Sequence, residues 1–248
     1  MTMYLDIFKI GGNVIDDPAT LENFLDTFCR CPERKILVHG GGVMAADLAR
    51  RLDIPVRMHE GRRITDQETL RIAVMVYAGW VNKTLVAALT ARNCRALGLT
   101  GADGKCIISR KRDPRPIDYG LAGDLMPGSI NALFIDSLLH EQIIPVFSPV
   151  TCSSEGQLLN TNADTIASAV ALSLSVKYKV RLRYVFDREG ITCPGSDKPL
   201  SLLSRLQYLE LRKKGIIYGG MIPKVENALE ALESGIEEVY VGKTAVQL

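Results

Sequence analysis

The sequence predicts an α/β protein built around a parallel β-sheet. Two stretches each combine a short apolar run typical of a strand, a glycine turn and apolar residues at helical spacing. The first strand, at 4–10, ends at Gly11-Gly12, and the second, at 35–39, ends at Gly40-Gly41-Gly42. Consecutive strand–helix units favour parallel pairing, because each helix returns the chain to the edge of the sheet where the strand began.

The remaining elements continue this alternation. Asp17-Pro18 is a typical helix start, and it opens a helical pattern that follows the first glycine turn. Apolar spacing and capping residues predict further helices at 66–91, 129–140 with Ser129 as the cap, 163–174, 202–213 and 225–233. Further strands are predicted at 95–99, 143–147, 177–186 and 238–241, with a turn or hairpin at 105–110. The best candidate for a domain boundary is 173–177.

Composition excludes several classes of protein. The chain has 248 residues, 47% of them hydrophobic, which is enough for a sizeable core. Its 30 Lys and Arg against 28 Asp and Glu produce a net charge of +2, too small to attract nucleic acid or a membrane surface. The basic run at 109–116 lacks interleaved aromatic residues, so we interpret it as a solvated loop or a substrate lid.

Cysteine and histidine usage argues against structural metal and disulfides. The six cysteines include no C-x-x-C pair, and the chain has only three histidines. The first nine residues include an acid and a base where a secretory signal would be apolar, and no apolar run approaches the ~18 residues of a membrane span. We expect a soluble protein in the reducing cytoplasm.

Both glycine turns are candidate anion sites. A glycine turn at the end of a parallel strand can expose backbone N–H groups to a phosphate, although it can also be only a tight turn. Lys9 precedes the first turn, and Lys224 follows a third pair, in Gly219-Gly-Met-Ile-Pro-Lys. By itself, a lysine at either position is usually a solvated surface residue.

The familiar nucleotide motifs are missing from the sequence. The segment at 99–106 is the nearest approach to a P-loop, but it lacks the first glycine and has Cys106 in place of the Ser or Thr that binds magnesium. No G-x-G-x-x-G precedes a ribose-binding acid, which disfavours a dinucleotide enzyme. Phosphate binding must therefore use another arrangement.

Taken together, the motifs resemble the amino-acid kinase family, and within it the acetylglutamate kinase subfamily. They occur in the family's order and spacing over nearly the whole chain: Lys9-Ile-Gly-Gly12, His39-Gly-Gly-Gly42, Gly61-Arg-Arg-Ile-Thr65, Gly98-Leu-Thr-Gly101, Asn160-Thr-Asn-Ala-Asp164 and Gly219-Gly-Met-Ile-Pro-Lys224. One glycine motif alone is weak evidence, whereas the ordered set is specific.

The resemblance implies an enzyme that uses ATP and Mg²⁺ to phosphorylate the side-chain carboxylate of an N-acylated glutamate in arginine biosynthesis. It implies a three-layer αβα sandwich with a mostly parallel central sheet. Residues 1–174 would form the lobe that binds the acylglutamate and a second subunit, and residues 175–248 the lobe that binds ATP.

The resemblance also implies catalytic roles. Lys9 and Lys224 would stabilise the transferring phosphoryl group, and Asp164 would hold both lysines in place. Gly11 and Gly12 would bind phosphate through their backbone. A general base is not required, because a glutamate side chain with a reference pKa of ~4.3 is already ionised at neutral pH. What the reaction needs is alignment of two anions and relief of their repulsion.

A second set of residues is implied in substrate binding. The backbone N–H groups of Gly41 and Gly42 would bind the reacting carboxylate. Arg63 and Asn160 would hold the α-carboxylate, and the planar fork of the arginine suits both carboxylate oxygens at once. Asn162 would contact the amide of the acyl group.

The nucleotide region departs from the family pattern. Where relatives usually have Ser or Thr before an Asp, this chain has Phe186 followed by Asp187 and Gly190. We retain Asp187 and Gly190 as candidate nucleotide-binding residues. The chain ends soon after 240–244, where many relatives add a strand, so we expect a trimmed nucleotide lobe.

Arg62 is a second departure, because many relatives have an apolar residue there, near the acyl pocket. We hypothesise that Arg62 pairs with the extra carboxylate of an N-succinyl group; alternatively, it points outward. The apolar, small-residue surface at 74–80 is compatible with a subunit contact and with core packing. The resemblance implies a homodimer, because this helix lies at the dimer interface in the family.

Two rival interpretations remain. Another kinase of the family, acting on carbamate, aspartate, glutamate or a nucleoside monophosphate, would lack this combination of motifs. The alternative from a different class is a catalytically silent, ligand-binding regulatory protein of the same fold, suggested by Phe186 and the short C-terminus. The presence of Lys9, Asp164 and Lys224 argues for the enzyme.

Overall fold

A computed structural model describes residues 3–59, 61–186, 189–193, 196, 198–219 and 221–248. The strands are β1 (Tyr4–Ile10), β2 (Arg34–His39), β3 (Arg57–His59), β4 (Arg62–Ile64), β5 (Ala96–Leu99), β6 (Arg110–Lys111), β7 (Gly123–Asp124), β8 (Ile144–Phe147), β9 (Val150–Cys152), β10 (Leu158–Asn160), β11 (Lys179–Val185), β12 (Leu202–Ser204), β13 (Glu238–Val241) and β14 (Thr244–Gln247). The α-helices are α1 (Gly12–Ile15), α2 (Pro18–Arg30), α3 (Gly42–Arg51), α4 (Gln67–Ala73), α5 (Asn82–Thr90), α6 (Ala132–His140), α7 (Ala163–Leu174), α8 (Arg205–Lys213) and α9 (Met221–Glu233).

One eight-stranded sheet runs through the molecule in the order β12-β14-β13-β11-β1-β2-β8-β5. All neighbours are parallel except the antiparallel pair β13–β14. The glycine turns that follow β1 and β2 therefore lie side by side at the same edge of the sheet, as the parallel prediction requires.

Side chains alternate across the sheet and create two apolar cores. Leu5 and Ile7 of β1 face a core that contains residues of α6, α7, α8 and α9. Phe8 and Ile10 belong to a second core, shared with α2, α3 and the long helix that includes α4 and α5. Period-two alternation explains why one strand serves both cores. The prediction of a three-layer αβα sandwich with a mostly parallel sheet is confirmed.

A single helix of 24 residues spans Gln67–Thr90, close to the predicted 66–91. Its middle part, Val74–Val81, is a π-helix that joins α4 to α5. By length and composition alone this helix could cross a membrane. Its inner face instead buries side chains in the second core, including Tyr77, Leu85 and Leu89. It is therefore a core helix of a soluble fold.

The structure corrects three local predictions. Asn131, not Ser129, caps α6, because its Oδ1 accepts a hydrogen bond from the backbone N–H of Phe134. The predicted helix at 202–213 begins as strand β12, and α8 starts only after Ser204, whose side chain forms a capping box with Gln207. The strand at 238–241 is not the last one, since β14 follows it and pairs with both β12 and β13.

The hairpins β3–β4 and β6–β7 and the pair β9–β10 lie outside the main sheet. The turn predicted at 105–110 corresponds to a 3₁₀ turn at Asp103–Lys105 and to the start of β6. Backbone bridges join Thr65 to Gly120 and Ala122 to Asn160. The hairpins are thereby connected to each other and to the end of β10, above the edge where the glycine turns lie.

Candidate functional site

The two glycine turns make direct contact. The Gly40 N–H donates a hydrogen bond to the Ile10 carbonyl over 2.9 Å, which joins the end of β2 to the end of β1. Gly41 caps α3 with a φ of +150°, and a Cβ there would lie 2.9 Å from Cδ1 of Tyr77. Both facts require glycine at this position. The first backbone N–H groups of α3 consequently lie at a helix N-terminus, where an anion is stabilised.

A cavity of about 270 Å³ opens above these turns. Ten residues predicted from the sequence line it: Lys9, Gly11, Gly12, Gly41, Gly42, Arg62, Arg63, Asn160, Asn162 and Asp164. They come from four separate segments of the chain. Among the described residues that line the cavity, four are cationic and one is acidic, so the site is suited to an anionic ligand.

Lys9 and Asp164 form an ion pair at the centre of this edge. Lys9 Nζ lies 2.8 Å from Asp164 Oδ1, and the two side chains are only 16% and 23% exposed. Asp164 lies in the first turn of α7, whose cap is Asn162. The Asn162 Oδ1 accepts hydrogen bonds from the backbone N–H groups of Asp164 and Thr165, at 2.7 and 3.1 Å. This cap fixes the backbone that carries the carboxylate.

Arg63 and Asn160 both line the cavity. The Arg63 Nη2 donates to the Gly42 carbonyl over 3.0 Å, which places the guanidinium next to the second glycine turn. The Asn160 Nδ2 donates to Thr65 Oγ1 over 3.0 Å. Arg62 is exposed on the neighbouring position of β4. The structure thus brings together the whole set predicted to bind the substrate.

His39 forms a hydrogen bond to the second glycine turn from the buried side. It is fully buried, and its Nδ1 lies 2.7 Å from the Gly40 carbonyl oxygen, so Nδ1 carries the proton and donates. Its Nε2 accepts from Nδ2 of Asn82 over 3.0 Å. Burial lowers the pKa of His39 from 6.5 to about 4, which keeps the ring neutral. The sequence interpretation quoted His39 within a motif but did not recognise this role.

Arg112 and Tyr119 are cavity residues that the sequence interpretation missed. Arg112 belongs to the basic run interpreted as a solvated loop, yet its Nε lies 2.9 and 3.0 Å from the two carboxylate oxygens of Asp124. Its guanidinium stacks on Tyr119 with 5.0 Å between Cζ and the ring centroid. Only the tertiary contacts distinguish this arginine from its exposed neighbours Arg110 and Lys111.

The predicted nucleotide residues lie elsewhere. Lys224 is in the first turn of α9, and its Nζ lies 4.6 Å from the centroid of the Phe186 ring. Gly190 is tightly packed, because a Cβ there would lie 2.7 Å from Cβ of Pro199. Asp187 lies outside the described residues. The joint contact of Asp164 with both lysines stays a prediction for Lys224, since the observed ion pair is with Lys9.

The parallel sheet, the paired glycine turns and the partly buried lysine–aspartate pair are typical of α/β proteins that bind anionic ligands at the C-terminal edge of their strands. The model of the amino acid kinase family matches residues 7–243. The chain belongs to this family.

Individual relatives agree with this assignment. The chain is 42% identical to an acetylglutamate kinase of Bacteroides fragilis over 240 residues, which cover 96% of this chain and 91% of the relative. It is 45% identical to an acetylglutamate kinase of Azobacteroides pseudotrichonymphae, with 96% and 92% covered. Among solved structures, smu.665 of Streptococcus mutans superposes with a TM-score of 0.78 at 25% identity, with 98% of each chain covered.

Proposed function

We propose that the protein is an ATP-dependent kinase that phosphorylates the side-chain carboxylate of N-acetyl-L-glutamate in arginine biosynthesis. The observation that carries this proposal is the Lys9–Asp164 pair, which lies in the same cavity as two glycine turns and Arg63. The relatives that are named acetylglutamate kinases at 42–45% identity support the choice of substrate.

The acceptor carboxylate binds at the N-terminus of α3. Backbone N–H groups of Gly41 and Gly42 hold it there, while the Arg63 guanidinium and the Asn160 amide bind the α-carboxylate. The Asn162 side chain contacts the acyl amide. These contacts align the nucleophile with the phosphoryl group. Such positioning, together with electrostatic stabilisation, accounts for most of the catalysis in phosphoryl transfer.

Lys9 stabilises the negative charge on the transferring group. Asp164 holds the lysine in one position, so its charge is already oriented when the substrates bind. Gly11 and Gly12 lie beside Lys9 and provide backbone contacts to phosphate. Since the carboxylate nucleophile is ionised, none of these residues has to remove a proton.

ATP binds to the lobe formed by residues 175–248, and residues 1–174 form the acylglutamate lobe. Lys224, Asp187 and Gly190 contact the nucleotide or its phosphates from that side. Mg²⁺ fits this site as an ion held mainly by ATP phosphate oxygens, because the described cavity residues include a single carboxylate, and it already pairs with Lys9. The metal would neutralise phosphate charge.

The first experiment is a coupled ADP-release assay with ATP, Mg²⁺ and N-acetyl-L-glutamate. Lys9→Ala should lower kcat by ~10²- to 10³-fold, because it removes a preorganised cation. Lys177→Ala is the matched control, since it breaks a lysine–aspartate pair of 2.6 Å with Asp136 outside the cavity. Equal activity of wild type and Lys9→Ala would contradict the mechanism.

A more specific proposal concerns the identity of the acyl group on the substrate. Arg62 is exposed at the rim of the cavity, and it would pair with the second carboxylate of N-succinyl-L-glutamate. If so, wild type should prefer the succinyl substrate in kcat/KM, and Arg62→Leu should reduce that preference. An unchanged preference in Arg62→Leu would leave Arg62 without a role in acyl selection.

The catalytically silent alternative makes a different prediction in the same assay. A regulatory protein of this fold would bind acylglutamate, as measured by calorimetry, but would release no ADP with either acyl form. The intact Lys9–Asp164 pair favours the enzyme, because a protein without phosphoryl transfer has no need of a preorganised lysine.

We also propose a cytoplasmic homodimer. Trp80 and Met75 are 69% and 46% exposed on the long helix, whose other face is buried in the core. Exposed aromatic and apolar side chains on one helix are typical of a subunit interface. Sedimentation velocity should show a dimer for wild type and a monomer for Trp80→Glu; a monomeric wild type would refute the proposal.

A further inference from the structure

Two cysteines that are 65 positions apart in the sequence are in contact in the folded protein. The Sγ atoms of Cys29 and Cys94 lie 3.3 Å apart, so a covalent bond of ~2.05 Å would require them to approach by only about 1.3 Å. Both side chains are partly exposed, which allows a small reagent to reach them. Neither cysteine lines the cavity described above.

Charged contacts hold the helix that carries Cys29 against the segment that carries Cys94. Arg92, two positions before Cys94, donates from Nε to Asp26 over 2.9 Å and from Nη2 to Glu22. Glu22, Asp26 and Cys29 follow one another at intervals of four and three residues, so they share one face of α2. This face is therefore turned toward the end of α5, and the two thiols meet before any reaction occurs.

The backbone on both sides of the contact is fixed by the fold. The N–H of Cys94 donates to the Leu89 carbonyl over 3.0 Å, which attaches the residue to the end of α5. Cys29 lies in the last turn of α2, and both cysteines pack against the second core. The chain entropy that opposes closure of a long loop has consequently been lost on folding, and the two sulfur atoms need only a local adjustment to react.

We propose that Cys29 and Cys94 are a redox modification site, and that they form a reversible disulfide when the protein meets a small disulfide oxidant such as oxidised glutathione. One thiolate attacks the oxidant, which gives a mixed disulfide and releases one glutathione thiolate. The second thiolate then attacks the cysteine sulfur of the mixed disulfide and releases the other glutathione. In total, two electrons and two protons pass from the protein thiols to the oxidant, which is reduced to two thiols.

The site reacts slowly and lies far from the cavity. Burial raises the pKa of the Cys29 thiol to about 11, and only a thiolate attacks a disulfide, so the exchange is slow at neutral pH and faster in mild alkali. Cys29 precedes β2 and Cys94 precedes β5, so the bond forms at the opposite edge of the sheet from the cavity. It therefore joins two elements of the fold without involving the residues that line the cavity.

Mass spectrometry identifies the bond. The folded protein is incubated with oxidised glutathione in mild alkali, alkylated, and digested with trypsin without reduction. Trypsin cleaves after Arg30, so Cys29 and Cys31 fall in different peptides. We expect peptide 10–30 joined to peptide 93–95, with the other four of the six cysteines alkylated. Glutathione adducts without this cross-link would overturn the proposal, and so would the same mixture of cysteine pairs as the chain gives when it is oxidised in concentrated urea.

Thermal unfolding measures the effect of the bond, and neither test requires kinase activity. The oxidised protein should melt roughly 5–15 °C above the reduced protein, because a bond that closes a 65-residue loop restricts the unfolded chain. Cys29→Ser should abolish this gain. Cys31→Ser is the matched control and should retain it, since Cys31 is also partly exposed but its Sγ lies 3.4 Å from Oδ2 of Asp6. An equal gain in Cys29→Ser, or no gain in wild type, would refute the proposal.

Discussion

Acidification should destabilise this protein at an unusually high pH because of His39. The imidazole is fully buried, donates through Nδ1 to Gly40 and accepts at Nε2 from Asn82. A second proton on Nε2 would face the Asn82 amide N–H₂, which is also a donor and is held by its other bond to the Val146 carbonyl at 2.9 Å. The folded protein therefore resists protonation, in agreement with a pKa of about 4.

The sign and size follow from proton linkage. Below pH 6.5 the unfolded chain binds a proton at His39 and the folded chain does not, so the free energy of unfolding falls as the pH is lowered from 6.5 to about 4. Each pH unit in this window is worth up to about 1.4 kcal/mol. Between pH 7 and pH 5 the expected loss is about 2 kcal/mol, and the full stability is present above pH 6.5.

Urea unfolding at pH 7, 6 and 5, followed by circular dichroism, measures this loss. His39→Gln should be less stable at pH 7, because its hydrogen bonds change, but should show a much smaller decrease toward pH 5. His140→Gln, at an exposed histidine, is the control and should retain the wild-type pH dependence. The reasoning fails if His39→Gln and wild type lose the same free energy between pH 7 and pH 5.

Three further predictions concern single residues. Asp164→Asn should lower kcat by ~10²-fold in the ADP-release assay, since Lys9 loses its anionic partner; an unchanged kcat would show that the pair is not needed. Arg63→Lys should raise KM for acylglutamate about tenfold with little change in kcat, because an ammonium cannot bind both carboxylate oxygens, and calorimetry should show the same loss of affinity. Gly98→Ala should lower stability by about 1–3 kcal/mol, because the new Cβ would lie 1.9 Å from Oδ1 of Asn82; an unchanged melting temperature would contradict this.

The sequence by itself determined the main helices and strands whose local sequence signals are strong. The strand at Tyr4–Ile10, the cap at Asp17 and the helix at Ala163–Leu174 all follow from apolar periodicity and capping residues, which act within a few positions of the chain. Glycine turns after two consecutive parallel strands also placed Lys9 at the edge of the sheet. Ten of the predicted site residues consequently line one cavity.

Tertiary structure determined the conformation and surroundings of those elements and residues whose contacts are distant in sequence. The short strand β12, in a segment predicted to be helical, pairs with β14, which lies about 40 positions later in the chain. His39 contacts Asn82, Arg112 contacts Asp124 and Tyr119, and the ammonium of Lys224 lies over the ring of Phe186. Periodicity and capping residues report the secondary structure that a segment favours on its own. Burial and charge pairing depend instead on which distant residues the folded chain places beside that segment.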